Sequence, residues 1–373
     1  LRPDCADDKD GVYSGCGFVK GDTLYLFYTG NVKDEGEHDY ITSGRGANVI
    51  LVTTKDGVTM SEKKTLLTNA DYPDYCSCHV RDPKVWEEEG VYKMVLGART
   101  LDDKGCVLYY TSKDLINWEF EEELRTPDSG YMWECPDEFV LGGKRFLSIS
   151  PQGLKHEKYF SQNVYSSGYL SIDTGRYREW DCGFDFYAPQ TFDAPDGRKI
   201  LIGWEGIGDI PYTNPTVSSG WQHCLTLPRE LTQKGGIVYQ QPIRELEALR
   251  RNERALGQTN SITLPFELIG QTQGGFTVTL ENILTLEYKG DEFTLKFLSN
   301  TAGCGRDVRY AQIKDCRSIR IIADKSSMEV YLGGGERVLS TRMYPDDIQT
   351  TLTISGVNGR LYELESIEVT YDG

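Results

Sequence analysis

The chain has 373 residues, 57 of them acidic against 40 basic, for a net charge of −17. Like-sign repulsion from phosphates, with no basic block to offset it, excludes nucleic acid as a partner. No run approaches the ~20 apolar residues of a membrane span, so no membrane partner is expected either.

The chain opens on Leu1-Arg2-Pro3-Asp4, which is polar and lacks Met. It does not read as a secretory leader. The expectation is that the natural start, with any targeting information, has been removed. Four stretches then repeat one grammar, a short polar or acidic motif followed by a turn and a β-forming run. Ser14-Gly15 precedes residues 21–30, and Arg81-Asp82-Pro83 precedes 90–99. Glu134-Cys135-Pro136 precedes 143–152, and Tyr187-Ala188-Pro189 precedes 197–206. Arg81 and Glu134 stand 53 residues apart, as do Glu134 and Tyr187, whereas Ser14 to Arg81 is 67. A period near fifty with several strands per unit predicts a β-propeller, the longer first interval being a loop insertion.

Strands are predicted over 23–29, 47–53, 91–98, 106–111, 145–150 and 200–204, with Lys20-Gly21-Asp22, Gly142-Gly143 and Pro195-Asp196-Gly197 as turns. Thr54-Lys55-Asp56-Gly57 and Ser112-Lys113-Asp114-Leu115 read as outer blade turns in which Asp bonds backbone N–H groups. Residues 244–256 carry Glu and Arg at i, i+4 spacing with Leu246 and Leu249, the pattern of a short amphipathic linker helix. A second β-rich region follows over 257–373, its clearest element a hairpin of 328–332 and 336–340 around Gly333-Gly334-Gly335. The expected division is therefore a propeller over 1–243, a linker helix over 244–256 and a β-sandwich over 257–373.

Ten cysteines are present, but Cys76 and Cys78 flank a single Ser and others sit inside predicted strands. A chain this large needs no disulfide staples. Asn-x-Ser/Thr occurs only as Asn214-Pro215-Thr216, which its Pro disqualifies. Reduced thiols and a cytoplasmic location are the reading. Cys76-Ser77-Cys78-His79 contains ligand types, yet no second pair stands at finger spacing, so no metal site is assigned. Neither is a cofactor, since His-Glu-x-x-His, Gly-x-Ser-x-Gly and P-loop patterns are missing from the sequence.

The chemistry falls on the repeated positions. Glu134, between Trp133 and Cys135, is expected to be poorly solvated, and burial raises a carboxyl pKa as a general acid requires. Asp82 lies between Arg81 and Pro83; Arg81 is expected to keep it ionised while holding a sugar hydroxyl. A structural ion pair is the competing reading of each. Their matching places in adjacent repeats predict a common pocket, where two carboxylates flanking a sugar bond serve glycoside hydrolysis. Tyr187 and Trp204 are candidate walls. Lys155, His156 and Lys158 are the basic residues near the Glu134 repeat that a phosphate would need, although a solvated loop is the preferred reading there.

Taken together, Tyr13-Ser14-Gly15, Arg81-Asp82-Pro83, Trp133-Glu134-Cys135-Pro136-Asp137, Asp185-Phe186-Tyr187-Ala188-Pro189-Gln190 and Leu225-Thr226-Leu227-Pro228-Arg229-Glu230 resemble glycoside hydrolase family 32. Those are the invertases, fructanases and sucrose-6-phosphate hydrolases. Residues 324–330 and 341–345 look like that family's C-terminal sandwich. The phrases Gly220-Trp221-Gln222-His223 and Ile202-Gly203-Trp204 look most like its bacterial sucrose-6-phosphate hydrolases.

The resemblance implies a five-bladed propeller plus sandwich, and a retaining mechanism with Glu134 as acid/base and Asp82 as transition-state stabiliser. It places Arg81, Tyr13, Ser14, Tyr187 and Trp204 in sugar binding, with sucrose, sucrose 6-phosphate or a fructan as the small-molecule partner. The family's nucleophile is the Asp of an Asn-Asp-Pro-Asn-Gly motif, and no Asn-Asp-Pro occurs in this sequence. The first blade is accordingly expected to be largely missing and the polypeptide nearly inactive. The alternatives are a fructan-degrading member or a non-catalytic sugar-binding relative.

Overall fold

The computed structural model describes residues 1–127 and 129–367. Four antiparallel sheets come first. They comprise β1 (Gly11–Lys20), β2 (Thr23–Lys33), β3 (Arg45–Thr54) and β4 (Lys64–Leu67); then β5 (Cys76–Glu88), β6 (Val91–Thr100), β7 (Gly105–Ser112) and β8 (Glu119–Leu124). The third holds β9 (Met132–Leu141), β10 (Lys144–Gln152), β11 (Gly168–Ser171) and β12 (Arg176–Glu179). The fourth runs β13 (Tyr187–Asp193), β14 (Lys199–Glu205), β16 (Arg229–Lys234), β17 (Ile237–Pro242), with the two-residue β15 (Cys224–Leu225) also on β14. The sequence repeat and the sheets coincide: each polar motif opens the first strand of a sheet and each apolar run forms the second.

The turn chemistry is as read. Asp56 Oδ1 accepts from the N–H groups of Val58 and Thr59, and Asp114 Oδ1 accepts from those of Ile116 and Asn117. The first strands are not regular. Register shifts fall between Val12 and Gly15, Arg81 and Lys84, and Tyr187 and Gln190. Asp82, Cys135 and Ala188 take left-handed φ values of 62°, 50° and 49°. Proline follows each of the three and cannot donate to the ladder, so the strand bulges at one place in each repeat.

The remaining strands form one ten-stranded sheet: β18 (Arg250–Ala255), β19 (Thr259–Thr263), β20 (Phe266–Leu280), β21 (Leu284–Lys289), β22 (Glu292–Phe297), β23 (Val308–Gln312), β24 (Ser318–Ala323), β25 (Ser327–Leu332), β26 (Arg337–Arg342) and β27 (Gln349–Leu364). The long β20 pairs β24 through residues 266–271 and β21 through 276–280 while lying along β27. Such a strand serves both layers of a sandwich. Leu268, Leu286, Phe293, Ile321, Val330 and Leu339 fill its core.

Two differences from expectation stand out. The predicted linker helix is only a 3-10 turn, Arg244–Leu249; residues 250–255 are strand, paired with β27. The arginines that suggested helical i, i+4 pairs reach across strands instead, Arg250 to Glu267 and Arg251 to Glu365. The second is how the strands group by compactness. One compact unit comprises residues 1–140, 145–155 and 165–178; the other comprises 141–144, 156–164 and 179–373. The fourth sheet thus groups with the sandwich, and buried ion pairs show why. Arg229, wholly buried, donates from Nε to Glu329, from Nη1 to Gln240, and from Nη2 to Asp181 and Ser340. Arg306, also buried, makes a bidentate pair with Asp185.

Arg229→Met would strand the Asp181 and Glu329 carboxylates without their cation. The expected cost is about 3–5 kcal/mol, read as a lowered denaturant midpoint; a change below about 1 kcal/mol would show that the cluster does not hold this unit together.

Candidate active site

The bulge residue of β5 is Asp82, 7% exposed. Its own N–H donates to Thr29 Oγ1 of the first sheet at 2.9 Å, and its Oδ2 accepts from the N–H of Cys135, the bulge residue of β9, also at 2.9 Å. A left-handed residue takes its N–H out of the ladder, and buried N–H groups need acceptors. Asp82 is therefore held from both sides. Burial raises its carboxyl above the ordinary value; the Arg81 charge opposes that rise and Glu134 adds to it.

Arg81 and Glu134 each stand one residue before the bulge. Arg81 donates from Nε at 3.1 Å and from Nη2 at 2.7 Å to the same oxygen, Glu134 Oε1. Gln152, at the end of β10, donates to Glu134 Oε2 at 2.8 Å. Both carboxyl oxygens thus have N–H partners, and the Glu134 side chain is 17% exposed, open on one side. Its strand is fixed by Trp133, whose Nε1 donates to Ser129 O at 2.7 Å. Gly97 and Gly105 make room for this: a Cβ on Gly97 would lie 2.0 Å from Trp133 O, and one on Gly105 2.4 Å from the indole.

Behind Arg81 lies His79. Arg81 Nη1 is 3.0 Å from its Nδ1, while Arg45 Nη1 and the Tyr40 carbonyl lie 3.2 Å and 2.9 Å from its Nε2. Burial, with the Arg81 and Arg45 charges, lowers its pKa to about 4, so the ring is neutral.

The structure brings Arg81, Asp82 and Glu134 together and corrects one expectation about them: Arg81 is directed at Glu134 and not at Asp82. Glu134 is poorly solvated, and Asp82 is buried more deeply still. Tyr13 and Ser14 are exposed on the bulge of β1, in the same unit, and the Tyr13 phenol is close enough to interact with the Arg45 charge. Tyr187 and Trp204 belong to the other unit, where they pair across β13 and β14. Tyr187 is only 6% exposed, so it is no open wall. Trp204 meets His223 edge-on at 4.8 Å and lines a cavity of about 600 Å³ with Asn214 and Gln222. Lys158 is engaged by Glu292 and stacks on Tyr310, whereas Lys155 lines a separate cavity of about 910 Å³ with Lys104 and Arg125.

Sequence reading missed Arg45, His79, Gln152 and Thr29. Thr29 and Gln152 had a signal, a polar residue near the end of an otherwise apolar second strand. His79 was visible only as part of Cys76-Ser77-Cys78-His79, read there for metal, and Arg45 had no signal.

Residues 1–242 match the model of the glycosyl hydrolases family 32 N-terminal domain, and residues 290–371 match that of its C-terminal domain. The sucrose-6-phosphate hydrolase of Bacillus subtilis is 38% identical over 92% of this chain and 76% of its own length. That of Salmonella typhimurium is 37% identical over 96% and 78%. Among solved structures, the sucrose-6-phosphate hydrolase from Lactobacillus gasseri superposes with a TM-score of 0.86 at 25% identity, covering 98% of this chain and 81% of that one. A Bombyx mori GH32 beta-fructofuranosidase mutant in complex with sucrose gives 0.79 at 29% identity, covering 95% and 79%. The fold is all-β: a β-propeller, with the four sheets above as blades, followed by a sandwich-like sheet.

Asp82→Asn keeps an acceptor for the Cys135 N–H and tolerates left-handed φ. Because the folded state holds the Asp82 proton more tightly than the unfolded chain, ionisation costs stability as pH rises through the raised value. The variant should therefore melt at the same temperature as the parent below pH 4 and higher at pH 7. A lower melting temperature at pH 7 would mean that the charge itself is stabilising.

Proposed function

Because this chain belongs to glycoside hydrolase family 32, we propose that it serves the hydrolysis of β-fructofuranosides, with sucrose 6-phosphate as the substrate. The observation that carries the reading is the meeting of Arg81, Asp82 and Glu134 at equivalent places in adjacent repeats of a chain of this family. The names of the bacterial relatives supply the substrate. Ten free thiols suit the reducing cytoplasm in which we place it.

In this reading Glu134 carries a proton to the glycosidic oxygen as the bond to the fructosyl anomeric carbon breaks. A second carboxylate closes on that carbon to give a fructosyl ester. Water then releases the sugar with Glu134 as base and net retention. Arg81 fixes the orientation of the Glu134 carboxyl. Asp82 accepts from fructose hydroxyls and stabilises the positive charge that develops on the ring. Tyr13 and Ser14, in the same unit, complete the sugar contacts. The second carboxylate is the Asp of an Asn-Asp-Pro segment on a fifth blade, a segment not found in the 373 residues.

Two outcomes are expected. The 373-residue polypeptide releases no fructose from sucrose or its 6-phosphate, since no covalent route is available; turnover by it would place the nucleophile in another context. A chimera carrying the Asn-Asp-Pro segment of the Bacillus subtilis relative ahead of residue 1 gains activity, and Glu134→Gln in that chimera lowers kcat by about 10²–10⁴-fold. Undiminished turnover by the Gln variant would remove Glu134 from the acid/base role.

A further inference from the structure

A neutral imidazole has one lone pair, yet two guanidinium groups contact His79. The Tyr40 carbonyl can only accept, so Nε2 carries the hydrogen, and the lone pair on Nδ1 receives Arg81. Arg45 Nη1, at 3.2 Å from the same Nε2, therefore meets an N–H and gains nothing. Arg45 Nε is buried with no hydrogen-bond partner. Among the described residues no carboxylate forms an ion pair with Arg45, in a chain of net charge −17.

The neighbourhood adds positive charge. Lys33 is the direct cross-strand partner of Arg45 in the β2–β3 pair, and like charges placed opposite each other destabilise a sheet. Arg81 lies one imidazole ring away, its own charge spent on Glu134. Arg45 lines a cavity of about 430 Å³ with Asn48, Thr68, Asn69, Asp7 and Asp34. Of these acids, Asp7 is taken by the Thr65 hydroxyl, and neither pairs with Arg45. A half-buried guanidinium with empty donors, beside a second cation and open to a polar cavity, is an arrangement that an incoming anion completes.

We propose that Arg45, assisted by Lys33, is the specificity-determining residue of this site, holding the phosphate of a phosphorylated disaccharide whose fructosyl bond lies at Glu134. The proposal rests on the β-fructofuranosidase reading and names what that reading leaves open, the residue that tells the phosphorylated sugar from the free one. It moves the phosphate contact from the Lys155–Lys158 loop to the β2–β3 hairpin edge.

The test is calorimetric binding, which needs no turnover, on the 373-residue polypeptide with sucrose 6-phosphate and with sucrose at fixed ionic strength. The parent should prefer the phosphorylated sugar. Arg45→Gln should weaken sucrose 6-phosphate by about 10–100-fold while sucrose changes less than about threefold. Arg45→Lys should retain part of the preference, and Lys33→Gln, on the exposed edge, should lower it several-fold even if Arg45→Gln does not fold. Equal weakening of both sugars, or a preference that survives Arg45→Gln and Lys33→Gln, overturns the assignment. Sucrose binding by the parent with no preference for the phosphate overturns it too, leaving the fructofuranoside reading intact. Binding of neither sugar overturns that reading first.

Discussion

A left-handed residue followed by proline recurs at Asp82, Cys135 and Ala188, and the site follows from what that conformation costs. A positive φ at a non-glycine residue is unfavourable, and the proline after it withdraws a donor from the ladder. The N–H of the strained residue must then find an acceptor outside its own strand. For Asp82 the acceptor is Thr29; for Cys135 it is Asp82 itself. The Asp82 carboxylate is thereby built into the frame, which explains why it is deeply buried and why its proton is held tightly. The same bulge turns Arg81 and Glu134, one residue earlier, so that side chains 53 positions apart in sequence meet at 2.7 Å.

Electrostatics then divides the labour among three charged groups. In a poorly solvated site an unpaired charge is expensive, so each must be neutralised or shift. Arg81 and Glu134 neutralise each other with good geometry, and Gln152 satisfies the remaining Glu134 oxygen. Asp82 has no such cation to itself, and its carboxyl shifts upward. His79 shows the opposite response: wedged between two guanidinium groups, it stays uncharged. Arg45, on the far side of that ring, forms no ion pair with a carboxylate among the described residues.

How much of this was legible in the sequence depends on whether the information was periodic. The repeat, the sheets it makes and the meeting of Arg81, Asp82 and Glu134 follow from motifs that recur at one position, and all were readable. What a side chain does after arriving was not. Arg81 beside Asp82 suggested a local pair, but at a bulge consecutive side chains diverge and the longer-range partner wins. The segment 244–256 shows a different failure. Its Glu and Arg spacing suits a helix surface equally well as a strand edge, and the acceptors that decide between them, Glu267 and Glu365, are remote in sequence. The grouping of the fourth sheet with the sandwich was hidden for the same reason, since Arg229 and Glu329 are 100 residues apart.

The repeat also separates two kinds of constraint. Apolar second and third strands, such as those carrying Met94, Leu96 and Leu108, supply burial and tolerate little change in volume. The chemical side chains sit at bulges and hairpin edges, where one residue can be exchanged without moving the core. Glu134 and Asp82 are bound into that frame by hydrogen bonds to neighbouring sheets, so their replacement alters both. Arg45 and Lys33 stand at the open end of β2 and β3, where Lys33 lies over the Tyr40 ring and Arg45 against His79. Like charges facing each other there cost their own sheet stability, a cost that the phosphate contact proposed above would offset.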